Sequence, residues 1–152
     1  MYSSPLPTWT RKAQAFVIRA HRHLWGKNNE LPLVFLYENG LTHDFAKKMI
    51  LGWNKFGQDR PRDGWGLAQS GSEKTFHLPP GLVIPRIDDQ NLLGIIILPM
   101  EGQGLAYQVP GSLPMEWGSP GGERRYFKDI LAALRAVQDN DDIRACYDPD
   151  GL

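Results

Sequence analysis

A single cysteine, Cys146, stands in 152 residues, so the chain can neither close an internal disulfide nor assemble a thiolate zinc cluster. It reads as a buried, inert thiol. No stretch approaches the roughly 20 apolar residues that a membrane helix needs. The longest apolar run, Leu92 to Met100, is broken by Gly94 and Pro99. The opening Met1-Tyr2-Ser3-Ser4-Pro5 has no basic segment leading into an apolar one, as a secretory signal would. These absences lead to the expectation of a cytoplasmic protein without membrane contact.

Catalytic signatures are missing as well. His21 and His23 are two apart on a predicted helix and do not share a face, a poor arrangement for joint metal ligation. His43 and His77 have no neighbouring acid or nucleophile that marks a triad. Ser70, Ser72, Ser112 and Ser119 lie in Gly-rich loops without a Gly-x-Ser-x-Gly elbow, and Gly102-Gln103-Gly104 lacks the rest of a dinucleotide fingerprint. No internal repeat is visible.

What is present is a chain of ordinary globular composition, 41% hydrophobic and 22% charged, of a length suited to one domain. Its zero net charge hides an asymmetry. Residues 1–85 hold 11 Lys and Arg against 6 Asp and Glu, whereas residues 86–152 hold 6 against 11. A basic first half suits an anionic partner, and the two halves can equally attract each other on folding.

Trp9, Ala13, Phe16, Val17, Ala20 and Leu24 recur at steps of three and four, which predicts an amphipathic helix with Thr8 as N-cap and Gly26 as stop. A second helix fits Pro32 to Glu38, closed by Gly40. A third starts at Thr42, turns Phe45, Ala46, Met49 and Ile50 inward and stops before Gly52. Trp53 to Gly71, rich in Gly, Pro, Asn, Asp and Arg, reads as an ordered loop. Lys74 to Leu78, Leu82 to Ile87, Leu92 to Leu98 and Leu105 to Val109 read as strands, with Asp88-Asp89-Gln90-Asn91 joining the middle two as an antiparallel hairpin. A last helix, with Phe127, Ile130, Leu131, Leu134 and Val137 on one face, is predicted between Glu123 and Gln138, and Asp139, Asp141 and Asp142 form a turn in an acidic tail over 139–152. The expected fold is α+β: N-terminal helices over 1–52, a small, mainly antiparallel sheet over 72–112 and a closing C-terminal helix.

Four segments in order resemble the stretch between the zinc ribbon and the toprim region of bacterial-type DNA primases, especially those of mobile elements. They are Glu38-Asn39-Gly40-Leu41-Thr42 with Leu51-Gly52-Trp53-Asn54, then Arg60-Pro61-Arg62-Asp63-Gly64-Trp65-Gly66-Leu67, then Leu78-Pro79-Pro80-Gly81-Leu82-Val83-Ile84-Pro85 with its hairpin, and Ala106-Tyr107-Gln108-Val109-Pro110-Gly111-Ser112. The resemblance implies an α+β lobe that lies beside a toprim fold and helps to hold template and primer, while toprim carboxylates carry the metals for phosphoryl transfer. Such a lobe has no complete catalytic site of its own. Two departures bear on binding. Gly94-Ile95-Ile96-Ile97-Leu98-Pro99 and Ala106 stand where the family usually places phosphate-binding arginine and lysine, which removes much of the phosphate-contact term. The zinc-ribbon ligands are absent, and no toprim glutamate strand is recognisable.

The remaining nucleic-acid candidates are Trp53, Lys55, Arg60, Arg62 and Trp65, with Tyr107 from the family segment. Aromatic faces can stack bases while cations meet phosphates. The plainer alternative is that the tryptophans anchor the loop and the arginines pair with Asp59 and Asp63. Asp148 and Asp150, following Ile143 to Tyr147, resemble the toprim Asp-x-Asp, and two carboxylates at that spacing can bind magnesium. A solvated tail is the expectation, with magnesium entering only if a toprim site is completed elsewhere. The sequence therefore leads to a non-catalytic lobe that binds single-stranded DNA or RNA weakly, or docks with a toprim or helicase protein. The alternative is a protein-interaction module of phage or mobile-element origin that has lost nucleic-acid binding, and a more remote one is an enzyme whose site is assembled across subunits.

Overall fold

The structure is a computed structural model that describes residues 6–27, 29–99 and 106–151. Met1 to Pro5, Met100, the Gly102-Gln103-Gly104 triplet and Leu105 lie outside these residues. Helix α1, Pro7–Leu24, buries all six residues of the predicted apolar face. It starts one residue before Thr8, because Pro7 needs no hydrogen-bond acceptor for its missing N–H and Leu6 takes the cap position. Helix α2, Glu30–Glu38, opens two residues before Pro32, and Gly40 closes it in the left-handed conformation at φ +75°. The N-cap of α3, His43–Lys48, is Thr42, whose hydroxyl accepts from the Phe45 amide at 3.1 Å.

The left-handed residue after α3 is Ile50 (φ +56°) and not a glycine. Gly52 serves packing instead. It opens strand β1, Gly52–Asn54, where a Cβ would stand 2.6 Å from the carbonyl carbon of Ala20 in α1. Strand and helix backbones meet there.

Strands β4, Gly81–Asp88, and β5, Asn91–Leu98, form the expected hairpin around Asp89 and Gln90, both at positive φ. With β1 and the short β6, Tyr107–Gln108, they make a four-stranded antiparallel sheet in the order β1-β4-β5-β6. Both faces of this sheet are covered. Leu82, Ile84 and Ile96 point into one apolar cluster with α2, α3 and the C-terminal elements, while Val83, Ile95 and Ile97 point into another beneath α1. Burial on both faces is why residues 82–85 of β4 and 92–98 of β5 read as near-continuous apolar stretches and not as an alternation.

The segment read as a loop over 53–71 is more regular than expected. It contributes β1, then β2, Gln58–Pro61, which pairs antiparallel with β3, Thr75–Leu78, and a 3-10 turn at Asp63–Trp65. Its Gly, Pro and Asp content reflects a short, half-exposed ribbon.

The C-terminal third departs further. Arg124–Phe127 is a strand, β8, and helix α4 runs Ile130–Asp139 with the Asp129 carboxylate accepting from the Ala132 amide at 3.1 Å. Helix α4 is not the closing element. It is followed by β9, Arg144–Tyr147, which lies between β7, Glu116–Gly118, and β8, antiparallel to the first and parallel to the second. Residues 144–146 are buried, so the solvated acidic tail expected over 139–152 is confined to the residues around this strand.

Candidate nucleic-acid interface

Helix α1 carries Arg11, Lys12, Arg19 and Arg22 and no acidic residue. Lys12, Arg19 and His23 follow one another at seven and four residues, which places them in one row along the solvent side of the helix. The chain from Trp53 to Trp65 runs back alongside, and two hollows open between it and the helix. Near the C-terminal end of α1 a hollow of about 330 Å³ is lined by Arg22, Lys27, Trp53, Lys55 and Phe56 among others. Nearer the N-terminal end one of about 290 Å³ is lined by Lys12, Arg19, Arg60 and Trp65 among others. Neither has an acidic lining residue. Among the described residues none of the six lysines and arginines in these linings forms an ion pair.

Direct ion pairing between the two halves is slight among the described residues. Second-half acids pair mostly with second-half arginines, and Lys48 with Asp141, at 3.5 Å, is the one pair across the halves among the described residues. The basic flank of α1 is left uncompensated.

The wall opposite α1 is held by a relay of amides. Asn54 is 4% exposed and donates from Nδ2 to the carbonyls of Leu78 and Pro79 at 3.3 and 2.8 Å. Gln58 donates to the Asn54 side chain at 3.0 Å, and Arg60 donates to Gln58. The guanidinium of Arg60 is thus fixed by a chain that starts in the core. Arg62 donates from Nε to the Ala68 carbonyl at 2.7 Å, and the Asp59 carboxylate accepts from His77 Nδ1 at 2.8 Å. The expected pairing of Arg60 and Arg62 with Asp59 and Asp63 is not observed.

The aromatic candidates divide. Trp65 is 3% exposed, with its ring edge-on to Trp9 and Phe76 at centroid distances of 6.4 and 5.2 Å, and offers no face to a base. It anchors the segment. Trp53 is half-buried, packed against the core on one side, and borders both the 330 Å³ hollow and a further one of about 370 Å³ toward Leu31 and Pro32. Phe56 is 69% exposed, with the Lys55 ammonium over its ring at 5.4 Å. Tyr107 is half-buried; burial pushes its hydroxyl above the usual range, and the charge of Arg62 acts against that rise, so these two stand within electrostatic reach of each other. The structure thus brings Trp53 and Lys55 together in one hollow, and Arg60 beside Trp65 in the other, while Arg62 and Tyr107 line neither.

Sequence reasoning missed Lys12, Arg19, Arg22, Lys27 and Phe56. A signal existed, since residues 6–29 contain five lysines and arginines and no acid. Asp148 is half-buried and Asp150 exposed, and among the described residues no group of three His, Cys, Asp or Glu side chains is placed to hold a metal. Cys146 is buried, and burial first, then the charge of Glu116, pushes its thiol above the usual range.

No protein-family model and no curated protein matches the sequence. Among solved structures, the DnaG catalytic core matches with a TM-score of 0.69 at 10% identity, over 91% of this chain. The match covers 54% of the DnaG core, so this chain spans about half of that structure. At such identity the likeness is one of architecture: the chain has a primase-like fold.

Proposed function

We propose that this chain is a nucleic-acid-associated lobe, a counterpart of the N-terminal part of a primase core, that binds single-stranded DNA or RNA weakly and has no catalytic site of its own. The observation that carries this reading is the acid-free double hollow along α1, whose six lysines and arginines make no ion pair among the described residues. Cations left without internal ion-pair partners attract a polyanion by releasing its condensed counterions. Lys55 and Arg60 belong to this surface and Trp53 supports it, whereas Arg62 and Tyr107 lie outside the two linings.

The test is fluorescence anisotropy of labelled single-stranded oligonucleotides at 50 and 200 mM salt. Four phosphate contacts would weaken single-strand binding by roughly 50-fold over that range, from a slope near −0.7 per contact. Salt-sensitive binding that weakens in Lys12→Glu/Arg19→Glu is the expected result. Absence of binding at low salt by folded protein would overturn the proposal.

A second reading, a protein-docking module for a toprim or helicase partner, draws on α2. Leu31, Val34 and Tyr37 on that helix are 76%, 49% and 80% exposed, an apolar surface that the fold does not use. Binding to such a partner would persist at high salt, where phosphate contacts fade.

A further inference from the structure

We infer that the hollow at the C-terminal end of α1 is a subsite for one unpaired nucleotide, with Phe56 as the stacking surface for its base and Arg22, Lys27 and Lys55 as the cations for its phosphates. This rests on the nucleic-acid reading above and narrows its ligand to a strand whose base faces are free.

Phe56 is the reason. A large aromatic ring that is 69% exposed gains little by burial, and it stands at the tip of the connection between β1 and β2. The tip is held at both ends. Asn54 is tied by two bonds to the carbonyls of Leu78 and Pro79, and Gln58 is tied to Asn54 at 3.0 Å. Gly57 lies against β3 so closely that a Cβ there would stand 2.8 Å from the His77 ring. Phe56 is therefore presented on a braced turn, and ordering it on binding costs little entropy.

Around the ring the lining is cationic. Arg22 and Lys27 come from the end of α1 and the turn after it, Lys55 from the tip itself, and Trp53 forms the inner wall. At about 330 Å³ the hollow is roomy for a single base. Bases in a duplex are stacked on their neighbours and present only edges, whereas an unpaired strand offers each base's face to an aromatic ring. Arg19 and Lys12 continue the cationic side of α1 beyond Arg22, a span of about 15 Å at a rise of about 1.5 Å per residue, which lets neighbouring phosphates of the same strand meet further cations.

The experiment compares Phe56→Ala with the native protein against two ligands of matched charge, a labelled ten-residue oligothymidylate and inorganic polyphosphate as competitor. Loss of one base stack should weaken the oligothymidylate roughly 5- to 150-fold. Polyphosphate, having no base, should bind the two proteins equally, and Phe56→Trp should restore the oligothymidylate. An unchanged oligothymidylate affinity in Phe56→Ala would overturn the subsite while the nucleic-acid reading stands, and an equal loss for both ligands would do the same by showing that Phe56 only shapes the tip. If the native protein binds neither ligand at low salt, both readings fall together.

Discussion

Replacing Arg144 with methionine would remove the centre of an ion network that ties the β4–β5 hairpin to the C-terminal sheet. Arg144 is 3% exposed. Its guanidinium forks onto Asp88 at 3.0 and 2.8 Å, reaches Glu116 at 3.0 Å through Nε, and donates to the Gly118 carbonyl at 3.2 Å. Arg86 backs Asp88 and Arg124 backs Glu116, each at 3.0 Å. Breaking a buried pair by removing one partner costs about 3–5 kcal/mol, and the two outer arginines, which remain to neutralise the acids, place this case near 3 kcal/mol. With a urea dependence of about 2 kcal/mol per molar for a domain of this size, the unfolding midpoint should fall by about 1.5 M.

Acid titration adds an independent check. Burial alone would raise the Asp88 carboxyl, but hydrogen bonds and charge from Arg144, then Arg86, outweigh it and hold the group below its usual range. The unfolded chain therefore binds this proton more readily. Asp88 contributes its full stability above the unfolded carboxylate value of about 3.9 and loses it as pH falls through the depressed folded value. In the Arg144→Met variant that loss below about pH 4 should shrink. A variant within 0.5 kcal/mol of the native protein, with an unchanged acid limb, would refute the claim that this network stabilises the fold.

Gly52→Ala should force α1 and β1 apart, since the new methyl meets the carbonyl carbon of Ala20 at 2.6 Å and the amide of His21 at 2.7 Å. An overpacking cost of about 1–3 kcal/mol, read as a fall in Tm of roughly 3–10 °C by circular dichroism, is expected. Trp65→Ala should cost about 3–5 kcal/mol in denaturant unfolding while the fraction that remains folded binds oligonucleotide as before. A selective loss of binding with stability intact would instead make Trp65 a contact residue.

The helices and the central hairpin were legible because their periods are clean. The face of α1 repeats six times without interruption, and the left-handed pair in the β4–β5 turn follows from a turn rich in Asp and Asn. Strand β8 was hidden by coincidence, since Phe127 falls in helical phase with Ile130 and Leu134. Asp129, a good N-cap directly before an apolar run, marked the true start of α4. Strand β9 was illegible for a different reason. A charged residue inside a short apolar run argues for the surface, and the acids that neutralise Arg144 lie 56 and 28 residues away. Of the candidate interface, the side contributed by residues 53–65 was visible as composition. The opposite wall was not, because a helix read for its apolar face leaves its polar face unexamined, and only the fold sets α1 beside that segment.

The central place of β9 has a consequence for folding. Strands β7 and β8 flank it and are not hydrogen-bonded to each other, so neither has a partner until residues 144–147 have been made. A chain that has not yet docked β9 therefore presents two open strand edges beside Trp117 and Ile130, which makes the C-terminal third the part of this protein most open to edge-to-edge pairing while it folds.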